Sequence, residues 1–151
     1  MIAYTDGATS NNGSSYAIGG WAFIVLKDNG QTLIYTDSGS LQPATNNICE
    51  LTAVINACTW LQENSTLSEK HIIYSDSAYI INCYKEKWYK KWQINGWRTS
   101  SKSPVLNQDL WEKLIPFFDN ENFDFVKVKG HGNDRLNLLV DQMAVEARKK
   151  C

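Results

Sequence analysis

Apolar and polar residues along this 151-residue chain alternate with two periods, two and about 3.6, and the switches between them lay out its elements. Ile2 and Tyr4 share one face of a first strand that ends at Asp6, where Gly7 and the polar residues through Ser15 predict a loop. Tyr16 to Leu26 is apolar and aromatic, Asp28-Asn29-Gly30 predicts a hairpin turn, and Thr32 to Ser38 predicts the third of three antiparallel strands. A polar stretch broken by Pro43 leads into a helix predicted from about Asn47 to Gln62, with Leu51, Val54, Ile55 and Cys58 at helical spacing. His71 to Ser75 predicts a short buried strand that stops at Asp76, and a helix follows from Ser77 to about Tyr84. Asn95-Gly96 predicts the stop of the next helical piece, and Pro104 to Phe118 predicts a helix carrying Leu106, Leu110, Trp111, Leu114 and Ile115. Phe123 to Lys129 reads as a last strand, Gly130 to Asp134 as a loop, and Leu138 to Arg148 as a terminal helix. The order βββαβα(αα)βα implies an α/β fold, a mixed sheet flanked by helices.

Composition narrows the class. A hydrophobic content of 43% over this length suits a single domain spanning residues 1–151. No run of 18 apolar residues and no basic-then-apolar leader occurs, so a cytoplasmic protein without a membrane partner is expected. Cys49, Cys58, Cys83 and Cys151 form no CxxC pair and have no histidine at zinc-site spacing, so free thiols are expected. A net charge of −1 argues against a uniformly basic coat. The average hides a patch, however. Between Lys85 and Lys102 six basic residues (Lys85, Lys87, Lys90, Lys91, Arg98 and Lys102) occur with one acid, Glu86, and are interleaved with Trp88, Trp92 and Trp97. That balance favours contact with nucleic-acid phosphates over a merely solvated face.

Four acids stand at the ends of predicted elements: Asp6, Glu50, Asp76 and Asp141. Each has an ordinary explanation, as a turn residue, a helix cap or a partner of the helix macrodipole. Together they do not, because a mixed sheet with Asp6 and Asp76 on adjacent strands puts both carboxylates at one edge. Two carboxylates about 4 Å apart repel by roughly 1–4 kcal/mol at effective dielectrics of 80 to 20, so the cluster calls for cations. Oxygen-only ligands select hard ions, Mg²⁺ first and Mn²⁺ as a substitute, and two such ions suit in-line phosphoryl displacement.

The motifs Tyr4-Thr5-Asp6-Gly7, Thr45-Asn46-Asn47-Ile48-Cys49-Glu50-Leu51, Tyr74-Ser75-Asp76-Ser77, Val128-Lys129-Gly130-His131 and Asp141-Gln142-Met143-Ala144, in this order, resemble type 1 ribonuclease H over nearly the whole chain. The resemblance implies the ribonuclease H-like fold, five strands with that of Asp6 in the middle, and hydrolysis of the RNA strand of RNA/DNA hybrids to 5′-phosphate and 3′-hydroxyl ends. It implies Asp6, Glu50, Asp76 and Asp141 as ligands of two Mg²⁺ ions, and His131 as the loop histidine that assists proton transfer or product release. Asn12, Asn46 and Asn47 are similar to the family's minor-groove contacts, and Thr45 and Asn107 to its DNA-phosphate pocket. Residues 85–102 resemble the basic handle, with Lys87, Lys90, Lys91, Trp88 and Trp92 as its substrate side. His71 is read as structural. The chain departs from the family at Pro43, Ile48, Ala78 and Leu138, where basic, long or acidic side chains are usual. A monomer acting without an obligate protein partner is expected. A DNA nuclease on the same fold and a non-catalytic hybrid-binding module remain as alternatives.

Overall fold

The computed structural model describes residues 1–10, 17–128 and 135–150. The elements are β1 (Ile2–Ser10), β2 (Ile18–Lys27), β3 (Thr32–Leu41), α1 (Asn46–Glu63), β4 (His71–Ser75), α2 (Ala78–Glu86), α3 (Trp88–Asn95), α4 (Gln108–Phe118), β5 (Phe123–Lys127) and α5 (Arg135–Arg148). One sheet runs β3-β2-β1-β4-β5, antiparallel through β3, β2 and β1 and parallel through β1, β4 and β5. This is the expected mixed five-stranded sheet, with β1 at its centre. Ala3, Phe23, Val25 and Ile73 of the sheet pack with Leu51, Val54 and Leu61 of α1 and with Trp111 and Leu114 of α4 in the main core. On the opposite face Ala22 meets Val140 and Ala144 of α5, with Tyr4 and Ala8 packed alongside. Among the described residues no helix is long and apolar enough to cross a membrane.

Several boundaries differ from the sequence expectation, each for a physical reason. Gly7 does not end β1. The strand runs on to Ser10 paired with β2, and the glycine is needed because a Cβ there would stand 2.7 Å from the Cys49 and Glu50 backbone of α1. The first helix begins at Asn46, capped by Thr45, whose hydroxyl accepts from the Ile48 amide at 3.1 Å. The last helix starts at Arg135, a turn before the first residue the periodicity suggested. Glu50 and Asp141 therefore lie beyond their first helical turns, where a macrodipole partner would sit. The helix expected from Pro104 starts only at Gln108. Pro104 instead bridges Arg98, the Val105 amide donates to the Trp97 carbonyl, and Leu106 is exposed. The hairpin after β2 follows the expected turn, with Asp28, Asn29 and Gly30 all at positive φ. Cys49, Cys58 and Cys83 are free, buried thiols, and Cys151 lies outside the described residues.

Candidate active site

The site lies where the central strands part. β4 pairs with β1 only from Ile2 to Tyr4, while β1 continues beside β2. At the fork the Thr5 hydroxyl donates to the Tyr74 carbonyl at 3.0 Å, closing off the parallel ladder. Asp6 follows Thr5 on one branch, and Asp76 follows Ser75 on the other. The Ser77 hydroxyl, accepting from the Ile80 amide at 3.2 Å, caps α2, so capping does not account for Asp76. From α1, Glu50 reaches the same gap. Oxygens of Asp6, Glu50 and Asp76 all lie within 4.8 Å of one another. The three acids and Asp141 of α5 share a cleft of about 390 Å³ with Asn46 and Asn47.

Burial makes this cluster costly. Asp6 is 3% exposed and Glu50 9%, whereas Asp76 and Asp141 open to solvent. Burial, the Asp76 charge and the Asp141 carboxyl push Asp6 up to about 7, although hydrogen bonds involving Glu50 and Gly7 oppose them. Glu50 is raised well above the usual carboxylate range by burial and by Asp6 and Asp76, and Asp76 is raised by burial and Asp141. One backbone group ties the two buried acids together: the Gly7 amide donates to Asp6 Oδ1 at 2.8 Å and to Glu50 Oε1 at 3.2 Å. No described group donates to the buried Glu50 Oε2. A buried carboxylate oxygen without a donor, beside two further carboxylates, is the donor set of a hard cation, so the residues fit a divalent metal ion.

The remaining predicted residues are distributed around this centre. Asn46 and Asn47 border the cleft, and Asn46 Oδ1 accepts from the Thr9 hydroxyl at 2.9 Å. Thr45 is exposed at the α1 cap, and Asn107 stands at φ 63° just before α4. Lys87, Lys90 and Lys91 are exposed, and none of the six basic residues from Lys85 to Lys102 forms an ion pair with a described acid. Trp88 and Trp92 are half-buried against the core, Trp88 donating from Nε1 to Glu86 Oε2 at 3.0 Å. Asn12 and His131 lie outside the described residues. His71 is 2% exposed, its Nε2 3.1 Å from the Ser65 hydroxyl and its ring against Phe123. Sequence reasoning missed the Gly7 amide and the cleft-wall residue Tyr79. The glycine's signal was its place directly after the acid, and Tyr79 gave none.

A sequence model of the RNase H family matches residues 1–149. The chain is 40% identical over 147 residues to Ribonuclease H of Clostridium botulinum, covering 97% of this chain and 94% of that one. It is 42% identical over 147 residues to Ribonuclease H of a Thermoanaerobacter species, with 97% and 88% coverage. Among solved structures, LC9-RNase H1, a type 1 RNase H with the type 2 active-site motif, superposes with a TM-score of 0.79 at 22% identity, covering 99% of this chain and 72% of that one. At that identity the likeness concerns the fold.

Proposed function

The chain belongs to the RNase H family, and from that premise we propose that it is a metal-dependent endoribonuclease that hydrolyses the RNA strand of RNA/DNA hybrids. The observation that carries the reading is the convergence of Asp6, Glu50 and Asp76 within 4.8 Å in a cleft shared with Asp141, with Glu50 Oε2 buried and without a donor. Asp6, Glu50, Asp76 and Asp141 would hold two Mg²⁺ ions, with Mn²⁺ as a substitute. Ions so held would supply the positive charge that a phosphoryl displacement needs. A water oxygen bonds to phosphorus as the bond to the 3′-oxygen breaks, leaving a 5′-phosphate and, after protonation, a 3′-hydroxyl.

The chain's own groups orient and protonate. The Gly7 amide fixes Asp6 and Glu50 in register. Asn12, Asn46 and Asn47 meet the minor groove, where 2′-hydroxyls mark the RNA strand. Thr45 and Asn107 hold a DNA phosphate, while Lys87, Lys90 and Lys91, backed by Trp88 and Trp92, follow the backbone further away. His131 moves a proton at the leaving group or helps release product, chemistry open to an imidazole. In this reading residues 1–151 form one domain acting as a cytoplasmic monomer.

The test is cleavage of a labelled RNA/DNA hybrid beside matched RNA/RNA and DNA/DNA duplexes, with Mg²⁺, with Mn²⁺ and with chelator. Cutting of the RNA strand in the hybrid alone, lost in chelator, is the expected result. Cutting of DNA would assign the chain to another nuclease activity, and retention of hybrid without cutting would make it a binding module.

A further inference from the structure

The reaction proposed above needs two features held at a fixed separation, the acidic cleft and the cations of α3. Main-chain packing does little to fix it. The chain enters α3 through Lys87 at φ 57°, and among the described elements the main-chain neighbours of α3 are chiefly in α2. Side chains hold the rest. At one end the buried Tyr89 donates from its hydroxyl to Asp119 Oδ1 at 3.3 Å. At the other, Trp92 lies 5.5 Å, centroid to centroid, from Trp111 of α4 and 5.7 Å from Trp97. Trp111 is fully buried, and its indole Nε1 donates to the hydroxyl of Tyr79 at 3.1 Å, the two rings meeting edge-on at 5.1 Å and 64°. Tyr79 is part of the cleft wall, beside Asp76 and Ala78.

We propose that the hydrogen bond from Trp111 to Tyr79 is a strut that sets the place of the basic helix α3 relative to the acidic cleft, making Tyr79 a positioning residue for a hybrid that spans both. The inference rests on the hydrolytic reading and adds to it how one end of the site is spaced from the other. A buried indole N–H strongly disfavours losing its acceptor, so the Tyr79 hydroxyl selects one orientation of Trp111, and Trp111 in turn selects the seat of Trp92.

Tyr79→Phe keeps the ring and removes only the acceptor. Steady-state cleavage of a labelled hybrid with Mg²⁺, at several salt concentrations, should show KM raised about five-fold, kcat changed by less than about two-fold, and a shallower salt dependence. In ¹⁵N-labelled protein the Trp111 indole N–H should lose its protection from exchange. In a background of Lys90→Ala and Lys91→Ala the same substitution should add little, because the cations it positions are gone. The proposal is overturned if KM and salt slope stay at parental values, if the indole remains protected, or if the effects of Tyr79→Phe and the lysine changes simply add. Should the parent fail to cleave the hybrid, the hydrolytic reading falls on its own. The strut is then judged by hybrid affinity across the same four proteins, with the same expected coupling.

Discussion

Asp6→Asn should abolish cleavage and yet stabilise the metal-free protein, and the structure sets the size and pH dependence of that gain. Burial against α1 and β2, together with Asp76 and Asp141, raises the Asp6 carboxyl from 3.8 to about 7. A titration moved that far makes the charged form about 4 kcal/mol more costly in the folded chain than in the unfolded one. The sign follows from proton counts. Between about pH 4 and 7 the folded chain binds more protons than the unfolded chain, so stability present at acid pH is lost as the pH rises and stays lost above 7. Asparagine is close in shape and keeps an oxygen for the Gly7 amide, though a weaker acceptor than carboxylate. A gain of about 2–4 kcal/mol is therefore expected at pH 8 in chelator, or roughly 5–15 °C in Tm for a chain of this size. At pH 5, below the raised titration of Asp6, the charge costs less than half as much and the gain shrinks in proportion. Added Mg²⁺ should narrow the difference at pH 8, because an ion bound to the native site stabilises the parent by about 2.7 kcal/mol at 100 times its Kd. Thermal unfolding of both proteins at pH 5 and pH 8, with chelator and with Mg²⁺, measures all three stability differences. A variant no more stable than its parent at pH 8 in chelator, or a gain as large at pH 5, would refute the account of Asp6 as a costly charge held for a cation.

The other expectations follow from single contacts. Asp76→Asn removes an exposed ligand and leaves the asparagine, threonine and lysine contacts in place, so it should abolish cleavage while a gel-shift assay still shows hybrid binding; normal turnover would end the four-acid reading. Replacing Lys87, Lys90 and Lys91 together by Ala should raise KM and cut the slope of log KM against log salt by about two to three, one unit per phosphate contact, and an unchanged slope would return these lysines to a solvated surface. Gly7→Ala places a methyl 2.7 Å from the α1 backbone at Cys49 and Glu50, so α1 must move off β1; a loss of roughly 1–3 kcal/mol is expected in chelator, with a weaker Mg²⁺-induced rise in Tm. A Gly7→Ala protein with parental stability and metal response would show that the helix gives way without cost.

The sequence carried the fold because its strongest signals are the local ones. Trp21, Phe23 and Val25 on β2 and Leu51, Val54 and Cys58 on α1 show their periods without knowledge of any partner, and the positive-φ turn at Asp28-Asn29-Gly30 declares the hairpin. What misled was chemistry that depends on a neighbour. Gly7 reads as a strand end in isolation, and only the approach of Cys49 and Glu50 explains a glycine in the middle of β1. Pro104 reads as the first residue of a helix, a place proline favours, but its backbone is claimed by Arg98 across a tight loop. The site shows the same division. The acids were legible by type and by position, since charge at the edge of a buried strand needs a reason. Tyr79 was not, because a tyrosine early in an amphipathic helix has many ordinary uses, and its hydroxyl gains meaning only from an indole that lies 32 residues on in sequence.

The fork between β1 and β4 explains why the acids gather here and not at the other end of the sheet. A parallel strand joined through a crossover helix need not match the length of its neighbour, whereas β1 and β2, antiparallel on a shared ladder, run on together to Ser10 and Ile18. Where the shorter β4 turns away, β1 loses a hydrogen-bonding neighbour on one side. The gap that opens beside Asp6 and Asp76 is bordered by Asn46, Asn47 and Ser77 and is too polar to close by packing. α1 crosses it on the main-core face and α5 on the other, so each helix can deliver one acid, Glu50 and Asp141, to a gap that the strands have already charged. A cluster assembled from four elements in this way is intolerant of small shifts in any of them. That is the physical reason why Gly7, which carries no side chain, is as much a determinant of the site as the carboxylates it positions.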